Sequence, residues 1–229
     1  MALSLWNLTQ SIDLQTELKE SVTKISNIEN HLYIQTSSNC LYHGTVQTKE
    51  NVSYLELECC EEWKVIDVDC CKDSLYVVDI EGNVFKCTKN LEKCSEITLV
   101  EDYQCSRGHT GTKCKMKVGK ISIGAFGHLF VTESGHLWAM GCMPQIGINS
   151  EVPKKVNFFN GRFVHSVDVG SDFAIAIVSK QTKDDVDSDE EDVFISNCPQ
   201  CLSASQLTSP ASQTSISDMC PLGMKVQGN

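Results

Sequence analysis

Four stretches of the chain repeat one pattern of apolar and polar positions. The first runs through Lys24, Ile25, Ile28 and Leu32-Tyr33-Ile34, then polar Ser37-Ser38-Asn39, then Leu41-Tyr42. The second places Val65, Ile66 and Val68 before Leu75-Tyr76-Val77-Val78, then Glu81-Gly82-Asn83, then Val84-Phe85. The third reads Lys120-Ile121-Ser122-Ile123-Gly124, then His128-Leu129-Phe130-Val131, Glu133-Ser134-Gly135 and Leu137-Trp138. The fourth opens on Val164 and Val167-Asp168-Val169-Gly170, continues through Phe173-Ala174-Ile175-Ala176-Ile177, and then stops matching. Each unit predicts a short strand, a tight turn, a second apolar strand, a hairpin turn and a third strand ending in an aromatic. Glu81-Gly82-Asn83 and Ser134-Gly135-His136 hold residues that tolerate positive φ, as such hairpins require. Tyr42, Phe85 and Trp138 end the third strands, 43 and 53 residues apart. Short strands returning at that period point to radial or stacked β units. An unrelated sandwich would supply the turns without the shared order.

Outside the units the pattern weakens. Ser11 to Ile28 can form a helix, with Leu14, Leu18 and Val22 on one face, or Leu3 to Leu8 can form a strand that completes a unit. Cys94 to Lys117 reads as a long polar insertion. From residue 183 an acidic run, Asp184 to Asp192, gives way to a Ser- and Thr-rich stretch. That composition has too little apolar surface to offset the entropy of ordering, so disorder is expected. The expected organisation is therefore a repeat domain over 1–182, with units near 24–60, 63–100, 118–160 and 161–182, and a tail over 183–229.

Composition narrows the function. Nineteen Lys and Arg stand against 30 Asp and Glu, a formal net charge of −11, which argues against a general nucleic-acid binder. No window holds the ~18 uninterrupted apolar residues of a membrane-spanning helix, and the amino terminus lacks the basic region of a secretory signal. A cytoplasmic or nuclear location is expected. Thirteen cysteines, an odd number, cannot all pair within one chain. Cys40 and Cys87, inside apolar strand-like runs, are expected as reduced, buried small hydrophobes.

The run Val118-Gly119-Lys120-Ile121-Ser122-Ile123-Gly124-Ala125-Phe126-Gly127-His128-Leu129-Phe130-Val131, continued by Gly135, Trp138 and Gly141, resembles the repeat of the regulator-of-chromosome-condensation family. Gly147, Pro153, Asn160-Gly161 and Val167 to Asp172 extend the likeness, which is good over 118–178 and degenerate over 24–90. There Cys70-Cys71 replace the Gly step and Lys86 the small residue after the aromatic. The repeats followed by an acidic, Ser-rich segment are also similar to the amino-terminal region of alsin-like proteins. The resemblance implies an all-β fold: a partial β-propeller of three to four blades built from four-stranded antiparallel sheets. A seven-bladed ring would need more residues than 229. It implies structural repeat roles for Gly124, His128, Gly135, Trp138, Gly141 and Gly170. It also implies a protein partner, a small GTPase or a trafficking factor.

Candidate chemistry is sparse. Cys198-Pro-Gln-Cys201 has the spacing of half a tetrahedral zinc site; it is either that half, completed by Cys220 and a distant ligand, or a pair of exposed tail thiols. Cys105, His109 and Cys114 can hold a metal or close a redox-sensitive loop. Ser188 precedes Asp189-Glu190-Glu191, a context an acidophilic kinase accepts. No phosphate-binding loop, nucleophile elbow or metalloprotease motif is present. The expected function is non-enzymatic protein binding through inter-strand loops. The alternatives are nucleotide exchange on a small GTPase and a zinc-dependent switch in the tail; self-association through open blade edges is also expected.

Overall fold

The structure is a computed structural model that describes residues 3–6, 11–14, 18, 20–49, 52–103, 112–171, 173–180 and 193–194. Strands β3 (Val22–Ile28), β4 (His31–Thr36), β5 (Cys40–Lys49) and the first part of β6 (Val52–Cys71) form the first antiparallel sheet. The 20 residues of β6 serve twice. Their second part opens the next sheet, followed by β7 (Ser74–Asp79), β8 (Val84–Thr88) and β9 (Cys94–Ile97). A third sheet holds β12 (Val118–Ile123), β13 (Gly127–Thr132), β14 (Leu137–Met143) and β15 (Ile148–Lys155). The fourth has two strands, β16 (Arg162–Val169) and β17 (Ala174–Lys180). Three complete blades and the start of a fourth make a partial β-propeller.

The blades share a register. Val22, Val65, Val118 and Val164 pair with Thr36, Asp79, Thr132 and Val178, and in each pair of strands a bulge follows that valine. A bulge adds one unpaired residue and sharpens local twist, so the same bend begins every blade.

Main-chain bonds then join consecutive blades. After the second strand the chain turns through Asn39, Gly82 or Gly135, at φ of 63°, 85° and 79°. Their carbonyls accept the N–H of Val65, Val118 and Val164 at 2.8, 2.9 and 2.9 Å. Within the same turns, Ser37, Ile80 and Glu133 donate to the carbonyls of Ser21, Lys64 and Lys117 at 2.8, 3.1 and 3.3 Å. Gly135 is required twice over. Its φ is left-handed, and a Cβ there would lie 2.6 Å from the Phe163 ring of the next unit.

Side chains of the first strands add a polar seam. Asp67, 6 % exposed, accepts Lys24 Nζ of the preceding blade at 2.7 Å and the Ile121 N–H of the following blade at 2.7 Å. Asp69 accepts the Ile123 N–H at 2.8 Å, and Ser122 Oγ donates to Asp168 at 3.1 Å. Apolar clusters lie beside the seam at each junction. Tyr33 packs with Val65, Val68 and Leu75; Tyr76 and Val78 with Val118, Ile121 and Trp138; Leu129 and Val131 with Val164 and Val167.

The structure revises the sequence expectations at two places and decides one alternative that they left open. The amino terminus is extended, not helical: β1 (Leu3–Trp6) pairs with β2 (Ser11–Leu14), and Val22 begins a strand. Among the described residues, the insertion from Cys94 carries strands. Its first four residues are β9, the outer strand of the second blade, and β10 (Val100–Tyr103) pairs with β11 (Thr112–Met116). Sparse apolar residues explain this, since Leu99 and Met116 are buried in the cluster between the second and third blades. Cys87 is not a reduced thiol: it sits opposite Cys94 in the β8–β9 register and is disulfide-bonded to it. Of the tail expected to be disordered, only Val193–Phe194 lies among the described residues, and this β18 pairs with β11.

Asp67→Ala leaves the Ile121 N–H and the Lys24 ammonium unpaired and is expected to cost about 3 kcal/mol, with Asp67→Asn costing less. Urea denaturation of the purified variants measures both; a loss under about 0.5 kcal/mol, the size of an ordinary surface change, would show that the seam is not needed.

Candidate functional site

A cleft of about 490 Å³ opens where β6 leaves the first blade and enters the second. Alternation along β6 leaves Glu62 and Lys64 exposed and Trp63 half-buried between them. The Trp63 ring meets Phe85 edge-on, with centroids 5.4 Å apart and planes at 78°. The turn before β8 adds Ile80, 56 % exposed, and Glu81. Asp79 holds that turn by accepting the N–H groups of Glu81 and Asn83 at 2.9 and 2.8 Å. The opposite wall is the loop between β8 and β9, which brings Leu91 and Glu92. The Cys87–Cys94 disulfide and the Leu91 N–H to Thr88 carbonyl bond, 2.9 Å, hold the loop in place. The result is an apolar floor of Trp63, Phe85 and Leu91 beneath a rim with Glu62, Glu81 and Glu92 against Lys64. Such a rim attracts cations, and an indole face receives them well.

Lys64 also reaches a thiol. Its ammonium lies 3.0 Å from Cys40 Sγ, and Ser38 Oγ lies 3.3 Å from the same sulfur. The Lys64 hydrogen bond pulls the Cys40 thiol below its ordinary value. Burial pushes Cys60 and Cys70 the other way, to about 11 and about 12.

Among the expected repeat residues, His128 links two blades. Its Nε2 lies 3.1 Å from the Tyr76 hydroxyl, with ring centroids 4.9 Å apart. Trp138 is 3 % exposed in the cluster between the second and third blades. Gly124 lies against Val169 of the fourth unit, where a Cβ would come within 3.0 Å, and Gly170 lies beneath the Phe173 ring. Gly141 has φ of +110° at the β14–β15 bulge, and a Cβ there would stand 2.4 Å from the Phe126 carbonyl oxygen. These positions serve packing between and within blades, and none of them lines the cleft.

Cys114 is 2 % exposed in β11; Cys105 and His109 lie outside the described residues, as do Cys198, Cys201, Cys220 and Ser188. Among the described residues no three of His, Cys, Asp and Glu are grouped to hold a metal ion, and no helix is long and apolar enough to cross a membrane.

No protein-family model and no curated protein matches the chain. Solved structures do. Human WBSCR16 is similar at 14 % identity over 76 % of this chain and 48 % of that one, with a TM-score of 0.49. Prp20p from Saccharomyces cerevisiae, studied for binding to Gsp1p and histones, is similar at 14 % identity over 74 % of this chain and 46 % of that one, TM-score 0.48. The structure of Kap60 bound to yeast RCC1 (Prp20) matches at 10 % identity over 79 % of this chain and 59 % of that one, TM-score 0.42. The chain spans about half the length of the first two. The propeller assignment stands on the chain's own register and inter-blade bonds.

Sequence reasoning passed over the cleft, although a tryptophan among Glu61, Glu62 and Lys64 was a signal that an aromatic would stand at a wet surface. It also passed over His31 and His43, which meet across β4 and β5 with Nδ1 and Nε2 2.9 Å apart and rings stacked within 1°.

Burial lowers the pKa of His31, His43 and His128 alike. Protons then bind the unfolded chain better, so stability is whole above about 6.5 and falls as pH drops through that value toward the folded pKa values. Melting temperature is expected to fall between pH 7.5 and 5.5, less steeply in His128→Gln; a flat profile would contradict the burial assignment. Alkylation by iodoacetamide at pH 7.5, mapped by mass spectrometry, is expected at Cys40 well before Cys60 or Cys70. Lys64→Ala should slow the Cys40 reaction several-fold, and an unchanged rate would remove the lysine's role.

Proposed function

We propose that this chain is a non-enzymatic protein-interaction module whose acidic, aromatic-floored cleft receives a basic segment of a protein partner. The cleft carries the reading: a half-buried apolar floor under a carboxylate rim, built on a junction that the repeat holds rigid. A Lys or Arg side chain placed over Trp63 buries its aliphatic stem on the floor and keeps its charge among Glu62, Glu81 and Glu92. The protein's formal charge of −11 steers such a partner toward it. The good fit of 118–178 to the regulator-of-chromosome-condensation repeat, and the likeness to alsin-like proteins, support a partner in small-GTPase regulation or vesicle trafficking in the cytoplasm. Exchange of nucleotide on a small GTPase is the second reading that this likeness favours.

The test is anisotropy of a fluorescein-labelled peptide alternating Arg and Leu, against a matched Glu–Leu peptide. The basic peptide is expected to bind, weakening as salt rises from 50 to 300 mM. Glu62→Lys should weaken it about tenfold, or about 1.4 kcal/mol, and Trp63→Ala by at least as much. Equal binding of both peptides, or no loss in Glu62→Lys, would overturn the reading. Nucleotide release from small GTPases, timed with and without the protein, decides the second reading; no acceleration removes it.

A further inference from the structure

Every junction between units buries the same row of the trailing sheet. Tyr33, Tyr76 and Leu129 occupy one register position, opposite Ser26, Asp69 and Ser122, and are 0, 1 and 1 % exposed. Two residues on, Gln35, Val78 and Val131 are 6, 0 and 3 % exposed. Each row lies beneath the unit that follows it: Gln35 Nε2 donates to the Val65 carbonyl, and Tyr76 reaches His128. In the fourth unit the equivalent residues are Ile175, opposite Asp168, and Ile177, opposite Ser166. They are 59 % and 63 % exposed.

The complementary half of this interface is exposed at the other end of the repeat. The third residue after the initial valine enters the junction cluster: Val68 is 0 % and Ile121 3 % exposed, whereas Ile25, the same position in the first blade, is 47 % exposed. The polar seam is also complementary. Along the first strands the corresponding residues are Ser26, Asp69, Ser122 and Asp168, serine alternating with aspartate. Asp69 meets a blade that presents Ser122 and the Ile123 N–H. For Asp168 the matching donor is the N–H at the position of Ile123, which in the first blade is Asn27, and the residue beside it there is the uncharged Ser26 and not a second carboxylate. One chain thus carries both faces of its own repeated junction.

We propose that two copies of this chain associate head to tail, the first blade of one packing its Ile25 edge onto the Ile175–Ile177 row of the other and repeating the junction used within each copy. The contact is heterologous, so it closes a dimer where the two ends can meet twice.

Sedimentation velocity of the full chain from 1 to 100 μM tests this. A species of twice 25.4 kDa is expected to accumulate with concentration. I175D/I177D and, separately, I25D should each raise the apparent dissociation constant at least tenfold while circular dichroism and melting stay close to wild type. A mixture of the two variants retains one intact junction and should recover association that neither shows alone. Three outcomes overturn the proposal. The wild type stays at 25.4 kDa up to 100 μM; or I25D associates like wild type, which means tail-to-tail pairing; or hydrogen exchange finds residues 175–178 protected in a monomer, which assigns the row to the chain's own residues. Peptide binding at the cleft is read in the same variants and is expected unchanged, so failure here leaves that reading standing.

Discussion

The first strand of each blade has polar groups on two sides: one set is met by its own sheet, the other by the neighbouring blade. In this chain the second set is met by the turn carbonyls of Asn39, Gly82 and Gly135 and by the carboxylates of Asp67 and Asp69. Buried main-chain donors left unpaired are costly, so these bonds fix the angle and height at which a blade can follow its predecessor. The apolar clusters contribute most of the attraction, since burying a single Leu- or Tyr-sized side chain stabilises by about 2 kcal/mol. Their residues could pack in many ways, however, and the seam selects one. The common bulge after Val22, Val65, Val118 and Val164 is the backbone form of that selection.

The cleft follows from the same joint. Since β6 runs without interruption from the outer edge of one blade to the inner edge of the next, the residues at its crossing, Glu62 to Lys64, belong to neither sheet's core. Their side chains are left at a surface whose backbone is held by Val65 and Ile80. The disulfide at Cys87 and Cys94 pins the facing wall. A rigid frame with a half-buried aromatic floor loses little entropy when a partner docks, which favours binding surfaces of this kind.

Asp69 also ties stability to protonation. Burial raises the pKa of Asp69 and outweighs the opposing effects of the Ile123 N–H and Lys24. A carboxylate held there costs something in solvation, and the chain tolerates it because the following blade supplies a donor. The histidines His31, His43 and His128 are buried on the opposite terms, as neutral rings.

Alternating apolar runs, the hairpin glycines and the returning aromatics were enough to read the blades, because strand formation and turn geometry are local and leave a period in the chain. The same local logic read Trp138 as a packing residue, while Gly124 and His128 were so read from the repeat resemblance. It missed Leu99, Met116 and the β10–β11 hairpin, since a few apolar residues in a polar stretch have no periodicity until a neighbouring blade covers them. It passed over Asp67 and Asp69, which in sequence are merely the polar half of an alternating strand. The Cys87–Cys94 pairing and the assembly of Trp63, Phe85, Leu91 and Glu92 were equally invisible. Residues so spaced in the chain become neighbours only through sheet register and inter-blade contact. Local patterning marked the strands and turns of the repeated units. Which polar and aromatic residues meet was settled by packing between blades, because those meetings depend on distances that no local pattern encodes.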